Sequence, residues 1–438
     1  MNSSSPKYPA FAGVALLLCA TSMSHASVGD SDTTTSPVVS QTLEAVVGTP
    51  EVTDLPIMEL ELPGTLSSDT ITTGTLILNK AFEGASLMPL YPHVKTRSLL
   101  QYEIVEEFAA RGEYDYAYDL ANLIMDWRRG QGFALIAHQM VENGHSEERV
   151  AELLRQGERI ASLTDSWQRE EIAALLALTH AALDNQEKAR FLVSGMVESE
   201  VGRLESYNAA NQVETEVETR LQVLEQLLLT ATLDTQRNVL EGLYALHLEV
   251  YHEPEMRAML EAKIRAVLLK LPSNLAFEGE LRLAQNAAEM GDTEAVRSIL
   301  DPLEAFVFND VWEAQHQYEL ICKLVDTEHE VGNSARALEL LDRAKKQFVE
   351  RKPTIEPMYW GTCQRPLAES YRKLGKPEVS LDIIRQALLD GVVNPNIRPR
   401  SMDFVRNAIV ASRLEGMSGS DVLVSAADEV LKELDPLR

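Results

Sequence analysis

The chain has 438 residues, 45% hydrophobic and 24% charged, with 67 acidic against 40 basic side chains and a formal charge of −27. That apolar content supports a sizeable ordered body. An acidic surface repels phosphate backbones and anionic lipid, which argues against nucleic acid as a partner.

The first 26 residues read as an export signal. Lys7 and the amino terminus precede the apolar run AFAGVALLLCA, residues 10–20, which is short for a bilayer crossing. Ser24-His25-Ala26 then offers small residues at −3 and −1, predicting cleavage after Ala26. The expected product is periplasmic or secreted, with no transmembrane helix in the mature chain. Lipidation at Cys19 is disfavoured, because Leu18 stands where a lipobox needs a small residue. Cleavage leaves Cys322 and Cys363. Export permits a disulfide, but both cysteines sit in apolar helical context and read rather as buried thiols. No CxxC or Cys/His spacing for zinc occurs, and no cofactor is expected.

Residues 27–95 differ in character from the remainder of the chain. "SVGDSDTTTSPVVSQT" is Ser/Thr-rich with little to bury, so a mostly disordered linker is expected there. "PIMELELPG" alternates apolar and acidic residues and "TITTGTLILNK" is β-branched, which also admits a short β-hairpin.

From about Ser98 the pattern turns helical, with apolar residues recurring at three and four. Polar or glycine turns punctuate it at Gly112, Gly144, Asp184-Asn185, His252, Gly291, Gly332 and Gly375. Successive turns lie 32, 40, 68, 39, 41 and 43 residues apart, so a hairpin repeats at a period near 40. "DWRRGQGFALIA" around Trp127 aligns with "SWQREEIAALLA" around Trp167 at the same offset of 40. The long interval reads as one repeat plus an insertion. The expected layout is N-terminal helical repeats over 96–202, a long helical insertion over 203–234, and C-terminal repeats with capping helices over 235–438.

Eight, seven and four positions before each turn stand a large, a small and usually another apolar residue. Ile104, Val105 and Phe108 open the series, and Leu367, Ala368 and Tyr371 close it. The middle residue is always Ala or Val, which lets two helices approach closely. His180 and Glu328 break the third position with polarity. After Gly332, Ala337 and Ala344 lie seven residues apart, a flat strip two turns long; Ser380 and Ala387 repeat it after Gly375.

"GEYDYAYDLANLI" at Gly112, "GNSARALELLDRA" at Gly332 and "LAESYRKLGKPEVSLDIIRQAL" across Gly375 resemble the tetratricopeptide repeat, in a divergent form whose period is near 40 rather than 34. The resemblance covers roughly residues 96–416. It implies an all-α fold, a helical-hairpin solenoid wound as a right-handed superhelix, whose coils nest into an open spiral. It also implies a groove lined by first helices at positions thirteen, ten, six and three before each turn. Carried over, these give Tyr102 and Glu106, then Gln131 and His138, then Glu171, then Glu278 and Gln285. Asp326 and His329 follow, then Arg365, Glu369 and Arg372. The Lys and Asn with which some relatives clamp a peptide carboxylate are missing there. The groove reads as mostly acidic with a basic end at Arg365, Arg372 and Lys373, suited to a basic or extended peptide.

These features predict an exported scaffold or adaptor that binds protein or peptide, and no enzyme. No HExxH, GxSxG or phosphate-binding glycine loop occurs. One rival is an all-helical enzyme acting on cell-wall glycan through paired carboxylates, with Trp127, Trp167, Trp312 and Trp360 as sugar platforms. Those tryptophans recur at first-helix starts, which favours packing wedges between hairpins. Another rival is a homodimer zipped through Val213, Val217, Leu221, Leu224 and Leu228 of the insertion. Folding of that stripe back onto the array is the competing reading.

Overall fold

The computed structural model describes residues 71–145, 147–164, 166–194, 217–229, 233–309 and 312–434, all within the compact unit Glu51–Arg438. Among them stand 18 helices and no strand. The first seven are α1 (Thr73–Ser86), α2 (Leu90–Ala110), α3 (Tyr114–Asn122), α4 (Arg128–Glu142), α5 (Glu147–Ala161), α6 (Ser166–Ala182) and α7 (Gln186–Ser194). After the undescribed stretch come α8 (Val217–Leu229), α9 (Leu233–Glu249), α10 (Pro254–Leu268), α11 (Ser273–Glu289) and α12 (Thr293–Val307). The last six are α13 (Ala314–Glu330), α14 (Ser334–Arg351), α15 (Trp360–Lys373), α16 (Pro377–Asp390), α17 (Ile397–Ser412) and α18 (Asp421–Leu434). The expected signal peptide, "PIMELELPG" and residues 195–216 lie outside the described residues.

Seven hairpins follow the turn spacing: α2/α3, α4/α5, α6/α7, α9/α10, α11/α12, α13/α14 and α15/α16. At the turn between α13 and α14, Gly332 adopts φ 87°. Its N–H bonds to the His329 carbonyl (2.9 Å) and the Asn333 N–H to the Glu328 carbonyl (2.8 Å), so the last carbonyls of α13 are satisfied locally. A Cβ at Gly332 meets no neighbour, so backbone conformation alone selects glycine. Gly332→Ala is expected to cost about 1–2 kcal/mol in urea unfolding, the penalty of a left-handed L-residue. The strip beyond it is as expected: Ala337 and Ala344 are wholly buried, as are Ser380 and Ala387.

The small middle positions Val105, Ala137, Ala177, Ala284, Val325 and Ala368 are all buried. Ala245 departs, being half-buried, while Leu243, Leu246 and His247 are buried beside it. The count from His252 slips by one because that turn has no glycine to fix where the helix ends. Of the two polar exceptions, Glu328 is 2% exposed and accepts two 2.8 Å hydrogen bonds from Arg297 on α12. His180 stands 3.5 Å from Glu158.

Two expectations are corrected. The stretch from Thr73, read as linker or hairpin, is helical and forms core. Thr72 caps α1 by accepting the Thr75 N–H at 3.1 Å. Ile77, Leu78, Ala81, Phe82 and Ala85 then make one buried helical face. The β-branched Thr75 and Ile77 lie within the helix and are buried, so tertiary burial outweighs the strand preference of the run.

The second correction concerns the ends of the array. First helices pack side by side in the order α2–α4–α6 and α9–α11–α13–α15–α17, and α17 then packs against α2. The ends of the described array therefore meet, and no open spiral runs from its first repeat to its last. The row reads α9–α11–α13–α15–α17–α2–α4–α6, with its outer ends at the undescribed stretch. Helix α17 packs more extensively against α1 than against α18, the next helix in the chain. The last hairpin is thus assembled from helices far apart in the sequence, with α1, the first described helix, as the second helix of α17. Gly84 lies where a Cβ would fall 2.5 Å from Phe404, which shows how closely the two approach.

Helix α8 folds back. Leu221 and Leu224 are buried in one cluster with Leu240, Leu243, Leu260 and Ile264, and Val217 and Leu228 pack against its edge. Val213 lies outside the described residues.

Candidate functional site

Joining α17 to α2 places the expected groove residues differently from their sequence order. Arg365, Glu369 and Arg372 on α15 and Tyr102 and Glu106 on α2 flank α17 at the middle of the row. Asp326 and His329 on α13 and Glu278 and Gln285 on α11 extend it one way. Gln131 and His138 on α4 and Glu171 on α6 extend it the other way. Glu171 and Glu278, neighbours in the groove series counted along the chain, stand toward opposite ends.

The charges of this row are tied to one another across helix boundaries. Lys323 on α13 bonds to Glu278 on α11 (2.7 Å), and Gln285 on α11 to Glu330 on α13 (3.1 Å). Lys373 and Ser370 on α15 both bond to Asp326 on α13. Arg372 holds Glu369 within α15 (2.9 Å). Arg413, the C-cap of α17, reaches Glu369 (3.0 Å) and forks onto Glu107 of α2 (2.6–3.1 Å). Arg406 forks onto Glu103 of α2 at 3.0 and 3.1 Å. Such two-pronged pairs fix geometry as well as adding attraction.

The expected basic end is accordingly neutralised: Arg372 and Lys373 each serve a carboxylate of the row. Arg365 is the exception. Its nearest carboxylate, Asp403, lies 3.8 Å away and instead accepts the Thr362 hydroxyl at 2.9 Å. The Arg365 Nη1 is buried without a hydrogen-bond partner. Burial lowers the Arg365 pKa, and neighbouring Arg406 adds to that; Asp403 opposes it. Burial likewise raises the Asp403 pKa against the pull of Arg365. Burial also works against the charge of Glu369, but the Arg372 hydrogen bonds and Arg413 outweigh it and hold the carboxyl below its ordinary range. Burial works against Arg413 too; the bonds to Glu107 and Glu369 more than restore its charge. The cross-helix ion pairs that join α15, α17 and α2 around the buried Nη1 of Arg365 make this centre the candidate site.

The remaining expected residues are less exposed to a ligand than a groove reading implies. Tyr102 is 4% exposed. His138 is largely buried, 3.5 Å from Glu142, and burial lowers its pKa against that carboxylate's pull. His329 bonds to Ser334 across the turn at 2.8 Å and serves the hairpin end. Gln131, Glu106 and Glu171 are half-buried on the row.

The sequence reading missed Asp403, Arg406 and Arg413, assigned to a loose terminal cap. The signal was present. Gly416 has φ 76°, and thirteen, ten and three positions before it stand Asp403, Arg406 and Arg413, the same groove spacing. Glu103 and Glu107 sit one residue off the groove positions of α2 and face α17 instead.

Trp127 is buried and meets the half-exposed Trp167 edge to face, centroids 5.3 Å apart. Trp312 stands edge-on to Phe306, and Trp360 donates to the Lys352 and Ile355 carbonyls. These contacts join neighbouring hairpin elements and supply no shared platform. Cys322 and Cys363 are both buried free thiols, each with its pKa raised by burial. Among the described residues no helix is long and apolar enough to cross a membrane.

No protein-family model matches the chain, no curated protein matches it, and no solved structure matches it.

Proposed function

We propose that this chain is an exported scaffold of tetratricopeptide-like type that binds a protein or an extended peptide segment along its row of first helices. A right-handed superhelix is part of that reading. The observation that carries it is the unbroken row itself. Side chains from α11, α13, α15, α17 and α2 form one surface, tied across helices by hydrogen bonds and ion pairs. Preorganised side chains lose little freedom on binding, which favours affinity spread over several repeats. Arg365, whose Nη1 has no hydrogen-bond partner, lies at its centre, so an extended segment with both charged and neutral side chains suits it better than a uniformly basic one.

The dimer zipped through the insertion loses its main support, because Leu221 and Leu224 are spent inside the chain. The glycan-enzyme reading gains none: the central carboxylates Glu103, Glu107 and Glu369 are each held by arginine forks. Affinity capture from a native envelope fraction tests the proposal. The intact chain is expected to retain a polypeptide partner that Arg365→Ala/Arg372→Ala retains at least tenfold less. Equal recovery by both, or no polypeptide recovered by either, contradicts it.

A further inference from the structure

In the seven other hairpins, a short turn ties the second helix to the first. The α17/α1 hairpin has no such tie, and its helices lie more than three hundred residues apart in the sequence. What holds it is packing and charge. Phe82, Leu78 and Ile77 of α1 are buried, and Phe404 and Leu431 close around Gly84. Lys80 pairs with Asp428 on α18. Alongside, α2 meets α17 through the Glu103–Arg406 and Glu107–Arg413 forks, and Arg111 bonds to Glu415.

Nothing in this joint requires both halves to belong to one molecule. The α1–α2 end carries the carboxylates Glu103 and Glu107, and the α17–α18 end carries Arg406 and Arg413. The ends are complementary, not self-complementary, so a joint between copies runs head to tail. We propose that the joint is exchangeable: the α1–α2 end of one copy fits the α17–α18 end of a second copy by the contacts that close a single chain. Reciprocal exchange makes a dimer with both joints filled and every contact kept. The closed single chain dominates in dilute solution, because its two halves meet at a high effective concentration. Exchange grows with protein concentration or when self-closure is weakened. The joint is independent of whether the row binds a partner, so a failed capture experiment leaves it standing, and the converse also holds.

Charge reversal gives the test. Arg406→Glu sets Glu against Glu103 within one chain, and Glu103→Arg sets Arg against Arg406. Mixed together, both intermolecular joints become complementary while both self-closures stay repulsive. Light scattering after size exclusion, on the full chains, is expected to show at least tenfold more dimer in the equimolar mixture than in either variant alone. The double variant Glu103→Arg/Arg406→Glu, complementary to itself again, is expected to behave like the unaltered chain. A mixture that stays as monomeric as its components overturns the proposal, as does equal dimer in each variant alone. Should a single variant fail to fold, co-refolding the pair from urea puts the same question. Soluble dimer supports exchange; aggregate or monomer overturns it.

Discussion

Phe82→Ala is expected to lower unfolding free energy by about 3–5 kcal/mol, the range for a deleted buried phenylalanine. The size reflects where α1 sits. Phe82 is fully buried in a helix wedged among α2, α17 and α18. Its neighbours Ala81, Ala85 and Gly84 are too small to fill the space, and a Cβ at Gly84 would fall 2.5 Å from Phe404. Leu76, 38% exposed on the same helix, is the control. Leu76→Ala is expected to cost under about 1 kcal/mol, since surface substitutions seldom matter much. Urea titrations of the two variants against the unaltered chain decide it. Equal, small losses contradict a structural role for α1 and return residues 73–86 to the linker that their composition first suggested.

Arg297→Ala is expected to cost a similar amount, about 3–5 kcal/mol, because it strands a buried carboxylate. Glu328 sits at a position where the other hairpins carry apolar side chains or His180, and both its oxygens are taken by Arg297. Removing the guanidinium leaves Glu328 desolvated with no opposing charge from α12. Replacing both partners by apolar residues of similar size, Arg297→Met/Glu328→Leu, is expected to recover most of the loss. A double variant as unstable as Arg297→Ala shows that the pair is needed for more than neutrality.

The hairpins were legible because their signals are local. Glycine at the turn and alanine on the close-packed face are each fixed by a few residues of chain, and Gly332, Ala337 and Ala344 stand where the spacing puts them. The site was legible only in part. Position-counting placed Arg365, Glu369 and Asp326 on the row of first helices, yet gave no hint that Arg372 and Lys373 are neutralised, since their carboxylates come from one helical turn away and from a neighbouring helix. The meeting of the ends was hidden for a different reason. The contacts of Glu103 with Arg406 and of Glu107 with Arg413 join residues about three hundred positions apart, and no local pattern records such a pairing. Composition misled at "TITTGTLILNK", where tertiary burial on α17 and α18 overrode β-propensity.

The meeting of the ends is most directly measured by pulsed electron resonance between spin labels at Lys80→Cys and Asp428→Cys on α1 and α18, with the buried Cys322 and Cys363 replaced by alanine. In dilute solution a single narrow distribution at short distance is the expected result. A broad distribution at long distance, with the fold otherwise intact, contradicts the joined row and restores the open spiral.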